Sequence, residues 1–214
     1  MPDNRSSPLG FGSRQFPPGV HICQIFSSDD ERQETLLKFI LSGLQFKERT
    51  SCFSDKATEQ AVGEFLGNYG ISCTAARDSG ALTLAGTRDV YFENGRFDPE
   101  RMLGVLRTYH EDSATRGYPA ARVIGEMTPE VQHVPGGNRL LEYEARVSLL
   151  LRDHPVTAVC QYDARAFDGA VIMDVLKVHP LVVIRGSVVH NPFFIQPEHY
   201  LARLNGENPA RGVA

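Results

Sequence analysis

Tryptophan is absent from the chain, and cysteine is scarce, with four residues scattered through 214. So few cysteines exclude a disulfide-stapled scaffold and read as the reduced thiols of a cytoplasmic protein. Long apolar runs are missing too. None approaches the ~18 residues of a membrane span. The opening MPDNRSSPLGFGSRQFPPG has no apolar core of a secretory signal. Positive charge is not in excess. Lys and Arg total 22 against 26 Asp and Glu, for a net charge of −4 and a pI near 6.0, which argues against direct nucleic-acid binding. Catalytic signatures are lacking. No GxSxG elbow, HExxH, GxGxxG or paired CxxC occurs, and no nucleophile–base pair stands out. What is present is 42% hydrophobic and 22% charged, the ordinary composition of one globular domain.

Residues 1–18 and 203–214 are rich in Ser, Pro, Gly and Asn without periodicity, so flexible tails are expected around a single domain at 19–202. Inside it, strand-like and helix-like segments alternate. Val20 to Phe26 is a short apolar run, expected as a buried strand. Leu36, Leu37, Ile40, Leu41 and Leu44 then recur at helical spacing, with Ser28 and Glu31 at the spacing of a capping box. Arg49 to Phe53 is the next strand, and Ala61 to Tyr69 the next helix, stopped by Gly70. Ile71 to Leu84 reads as short strand pieces around Asp78-Ser79-Gly80. Asp98-Pro99 opens a third helix. Ala121 to Met127 is a strand ending in a carboxylate, and Pro135-Gly136-Gly137-Asn138 a loop before another helix. Val156 to Tyr162 is the most apolar strand, hence central. Asp168 caps a helix, and Leu181–Ile184 with Ser187–Val189 forms a closing hairpin around Arg185-Gly186. This alternation predicts a mostly parallel sheet covered on both faces, with ligands bound beyond the carboxyl ends of its strands.

The chain resembles the MEDS family, the sensory domain named for methanogens, methylotrophs and the dichloromethane regulator. The pieces that carry the resemblance are GVHICQIF, FILSGL, YFENGRFDPERML, GYPAARVIGEM, LLEYEARVSLLL, VCQYDARAF, VLKVHPLVVIRG and HNPFF, in order from Gly19 to about Tyr200. The resemblance implies a divergent RecA and clock-ATPase fold. The expected fold class is therefore α/β: a three-layer, doubly wound, mostly parallel sheet of RecA-like, P-loop-like type, with a degenerate phosphate loop and a C-terminal β-hairpin. It also implies a sensory role in signalling or transcription control, with hydrocarbon derivatives as ligands and a downstream protein reading the signal. RecA-like relatives assemble, so a homo-oligomer is a further expectation.

The segment SSDDERQET stands where such a fold would hold a triphosphate. A phosphate loop needs glycines for close backbone approach, a Lys for the β and γ phosphates and a Ser or Thr for magnesium. Glycine and lysine are missing, and Asp29, Asp30 and Glu31 place like charge there. These acids also suit a helix N-terminus. The leading reading is a non-catalytic sensory domain without cofactor, binding a small apolar ligand above Phe26, Ser27, Ser28, Asp29, Glu126, Met127, Tyr162 and Asp163. Glu126, ending an apolar strand, is the strongest carboxylate candidate, as ligand contact or as partner of Arg122 or Arg146. The alternatives are a nucleotide-dependent switch or weak ATPase, and a protein-interaction module. His21, Cys23 and Cys160 form a weak metal constellation, because His21 and Cys23 share a strand face. Cysteine is among the most buried residue types, so packing is the expected role and no metal is assigned. Glu142 and Glu144 lie two apart on a helix and do not share a face, so at most one points at a given pocket. His179-Pro180 and His190-Asn191-Pro192 read as structural hydrogen-bonders.

Overall fold

The computed structural model describes residues 6–206. In chain order the elements are β1 (Ser7–Pro8), β2 (Gln15–Phe16), β3 (His21–Phe26), α1 (Asp29–Gln45), β4 (Arg49–Phe53), α2 (Glu59–Gly67), α3 (Cys73–Asp78), β5 (Leu82–Ala85), α4 (Thr87–Tyr91), β6 (Phe92–Glu93), β7 (Arg96–Phe97), α5 (Pro99–Thr115), β8 (Ala121–Glu126), α6 (Leu140–Asp153), β9 (Val156–Asp163), α7 (Gly169–Val178), β10 (Leu181–Ile184), β11 (Ser187–His190) and α8 (Pro197–Leu204). Seven strands form one sheet in the order β11-β10-β3-β9-β8-β4-β5, with β1-β2 and β6-β7 as separate two-stranded ribbons. Within the large sheet only β10 and β11 pair antiparallel. The chain runs outward from β3 to β4 and β5, then returns through β8 and β9 into the gap beside β3. The most apolar strand, β9, is therefore central.

Helices cover both faces, which is why β3 and β9 read as near-continuous apolar runs. One face packs Ile22, Cys52, Ile124, Val159 and Val183 against α1 and α2. The other packs Cys23, Val123, Ala158 and Tyr162 against α5, α6 and α7. The helix starts follow their caps. Ser28 Oγ accepts from the Glu31 amide at 3.2 Å, and Glu31 reaches back to accept from the Ser27 amide at 3.4 Å. Asp98 and Asp168 cap α5 and α7 by accepting from the amides of Glu100 and Ala170. The β10–β11 turn places Arg185 and Gly186 at φ of +48° and +71°, the positive pair that a two-residue hairpin of right-handed twist requires.

The structure differs from the sequence expectation in two places. From Ser6 onward the segment expected as a tail is packed: Leu9, Phe11 and Phe16 are buried against α1. Its three apolar anchors follow no helix or strand period, so polar composition hid them. Residues 1–5 and 207–214 lie outside the described residues, and the other tail expectation largely falls there. The second difference is Cys73–Asp78, which is a helix capped by Ser72, with Oγ accepting from the Ala75 amide, so the strand begins only at Leu82. A local side-chain cap decided a segment whose apolar pattern was too short to distinguish helix from strand.

Candidate functional site

A parallel sheet brings the carboxyl ends of its strands to one edge. Here that edge gathers the β3–α1 turn, the residues after β4, the end of β8 and the residues after β9. The β3–α1 connection is only Ser27-Ser28, with Asp29 already in the helix. Asp29 Oδ1 accepts from Lys56 Nζ and from Arg165 Nη2, each at 3.1 Å. Those bonds hold its carboxyl below the usual range. Asp163 accepts from Arg165 Nε at 2.8 Å and Nη2 at 2.7 Å, and is likewise lowered by that bond. Glu126 Oε2 accepts from Ser54 Oγ at 2.7 Å and lies 3.5 Å from Nη1 of the buried Arg32. Lys56 Nζ stands 4.0 Å from Glu126 Oε1. The acids expected from the sequence therefore meet Arg32, Lys56 and Arg165, three cations that sequence reasoning missed. Arg32 carried a local signal, three residues after Asp29 on the same helix. Lys56 and Arg165 arrive by tertiary folding alone.

Glu126 does not pair with Arg122 or Arg146. Arg122 is buried against Glu48, and Arg146 bonds Glu100 and Glu142. Nor do the eight candidate residues share one face. Strand alternation puts Phe26, Glu126 and Asp163 on the α1 side. Tyr162 and Met127 belong to the opposite core, where the Tyr162 ring packs on Phe167 and its hydroxyl donates to Glu144. Phe26, Met127 and Tyr162 are all at most 2% exposed. Ser27, Ser28 and Asp29 are exposed, and Glu126 and Asp163 partly so. Beside this edge an open apolar groove of about 430 Å³ is bounded by Ile25, Glu31, Leu176, Val182, Val189 and Phe193.

Beneath the sheet, on the α6 and α7 side, lies a buried polar cluster. His21 opens β3, Cys160 sits on β9, Glu144 on α6 and His179 just after α7. His21 Nε2 is 3.3 Å from Glu144 Oε2 and 3.5 Å from Cys160 Sγ. His179 Nε2 is 3.5 Å from the same carboxylate oxygen. Burial, followed by His179, lowers His21 to about 4. Burial, followed by Glu144, pushes the Cys160 thiol well up. Burial would raise Glu144, but contacts with the two histidines prevail and hold it well below the carboxylate range. Cys23 pairs in register with Cys160 but is outside this group of four, and burial raises its thiol to about 12. Two members, Glu144 and His179, were not singled out together in the sequence. A signal existed: Glu144 interrupts the apolar stripe Leu140, Tyr143, Val147 and Leu151.

Residues 20–180 match the family profile described as MEDS, "MEthanogen/methylotroph, DcmR Sensory domain". No curated protein matches the chain at a significant level. Among solved structures it is similar to a KaiC-like protein from the hyperthermophilic archaeon Pyrococcus horikoshii OT3, with a TM-score of 0.57 at 11% identity over 83% of this chain and 79% of that one. It is also similar to the flagellar accessory protein FlaH of Methanocaldococcus jannaschii, with a TM-score of 0.52 at 12% identity over 80% and 75% of the two chains. At this identity the likeness is one of fold, and the fold is RecA-like.

Proposed function

The chain belongs to the MEDS family, and from that premise we propose that it is a non-catalytic sensory domain that binds a small, largely apolar ligand at the carboxyl edge of its sheet. The observation that carries this reading is the β3–α1 turn. Two residues, Ser27 and Ser28, join strand to helix, with no glycine, no lysine and Asp29 locked between Lys56 and Arg165. Such a turn offers no cradle of free amides for a triphosphate. The neighbouring groove supplies apolar surface for a hydrocarbon derivative, with Glu31 at the boundary between groove and turn. In this reading Ser27, Ser28, Asp29, Glu126 and Asp163 are the polar rim, and Phe26, Met127 and Tyr162 are packed supports. Ligand would favour one arrangement of the edge loops, and a partner protein would read that population.

Thermal unfolding across a panel of short alkanols and halogenated methanes tests it. Stabilisation by at least one class, lost in Val189→Asp, is the expected result. No shift across the panel would sink the ligand assignment. A second reading, a nucleotide-dependent switch, draws on the cations Arg32, Lys56 and Arg165 beside the same turn. Calorimetry with magnesium and ATP separates the two: no heat of binding is expected, and tight binding abolished by Lys56→Ala would select the switch.

A further inference from the structure

Four donor atoms converge in the core: His21 Nε2, His179 Nε2, a Glu144 oxygen and Cys160 Sγ, all within 4.8 Å of one another. The Ser148 hydroxyl lies 2.8 Å from His21 Nδ1 and 3.4 Å from the Val178 carbonyl, and holds the His21 ring in place. The Val175 carbonyl, an acceptor only, lies 2.8 Å from His179 Nδ1, so that nitrogen bears a hydrogen. In a neutral His179 ring the other nitrogen is then a lone pair, and the Nε2 atoms of both rings point inward. Tyr162 donates to Glu144 Oε1, so the remaining oxygen, Oε2, faces the same centre. Two imidazole nitrogens and a carboxylate oxygen thus meet one thiol, whose sulfur lies 3.5 Å from His21 Nε2 and 3.6 Å from Glu144 Oε2. His179 Nε2 has no hydrogen-bond partner among the described residues. A buried ring nitrogen left without a partner is costly.

We propose that His21, Glu144, Cys160 and His179 form a binding site for a divalent transition-metal ion of the zinc type. Two imidazoles, a carboxylate and a thiolate are the donor set of such ions, and four protein ligands make a closed site of the structural kind. Ser148, the Val175 carbonyl and Tyr162 are the outer partners that orient the ligands. Binding breaks the Cys160 S–H bond, forms a metal–sulfur bond and releases one proton to solvent, with no change in oxidation state. The ion would tie α6 and the α7–β10 junction to β3 and β9, and the proposal stands independently of what occupies the carboxyl edge. The competing arrangement is a shared proton, an imidazolium–carboxylate pair, and it predicts no metal uptake.

The full chain, stripped with a chelator and exchanged into metal-free buffer, is titrated with zinc and, in parallel, with cobalt(II) as a spectroscopic reporter. One zinc per chain is expected, with one proton released and a thiolate-to-cobalt charge-transfer band. Cys160→Ser is expected to abolish the band, and His179→Gln to weaken uptake at least tenfold. Cys23→Ala is expected to keep both band and stoichiometry. Should the ligand variants misfold, the wild-type chain alone decides. A folded wild-type chain that takes up neither metal, or binds without the thiolate band, overturns the proposal.

Discussion

The two faces of the central sheet both bury polar groups, but they arrange them in opposite ways. On the α1 face donors and acceptors alternate. Gln161 Nε2 donates to Gln24 Oε1 at 2.7 Å, and Gln24 Nε2 donates to Thr35 Oγ1 at 2.9 Å. Arg122, wholly buried, bonds Glu48, Ser7 Oγ and the Pro8 carbonyl and stacks on Phe39. On the α6 face four metal-ligating side chains converge on one point, and one of them, His179, has a ring nitrogen without a hydrogen-bond partner among the described residues. The first arrangement fastens the N-terminal ribbon, α1 and β8 together through chains of hydrogen bonds, although Gln161 Oε1 and Arg32 Nε have no hydrogen-bond partner among the described residues. The second gathers ligand atoms at one point, where the proposed ion would complete it. Burial of a polar group therefore has two forms in this fold, chains of hydrogen bonds on one face and convergent ligand atoms on the other.

The comparison can be broken most forcefully at Arg122. Arg122→Met leaves Glu48 buried and unpaired, and chemical denaturation should show a loss of about 3–5 kcal/mol. Arg122→Met combined with Glu48→Met should recover much of it. A harmless single substitution would mean that buried Glu48 does not depend on Arg122. On the other face, zinc at ~100 times its dissociation constant should stabilise the wild-type chain by about 2.7 kcal/mol and leave Glu144→Gln unmoved. Equal effects on both chains would place zinc elsewhere. Gly43→Ala sharpens the α1 side. An added Cβ would stand 2.2 Å from Thr50 Oγ1 and 2.8 Å from Arg122 Cδ. The expected cost is about 1–3 kcal/mol, read from the denaturation midpoint. Ser28→Ala removes the α1 cap and should cost about 1 kcal/mol.

The smallest effect is expected at the exposed carboxyl edge. Asp29 and Asp163 have carboxyls lowered by Lys56 and Arg165, so their contribution is present above the ordinary aspartate range near 3.8 and is lost as pH falls below it. Solvent and salt screen such pairs. Acid titration of stability in high salt should therefore barely distinguish Arg165→Ala from wild type.

Much of this was legible in the residues. Ser28 with Glu31, and Asp98 with Pro99, mark helix starts by local chemistry, and the apolar VTAVCQY run marks the central strand. The statement that Glu142 and Glu144 face different ways also holds: Glu142 bonds Arg139 and Arg146 near the surface, while Glu144 is wholly buried. The ribbon through Leu9, Phe11 and Phe16 was not legible, because aperiodic anchors carry no pattern. The pairing of Asp29 with Lys56 and Arg165 was not legible either, since it spans separate loops that meet only at the sheet edge. The buried cluster was half visible. His21 and Cys160 were noticed for their strand positions. Glu144 and His179 join them only because α6 and α7 pack on that face.

The most direct measurement is the response of the two core histidines to zinc. Nitrogen NMR of the full chain at neutral pH should show Nε2 of both His21 and His179 shift on adding one equivalent of zinc, with the hydrogen on Nδ1 in each metal-bound ring. Nε2 resonances of either ring left unmoved by zinc would contradict the account.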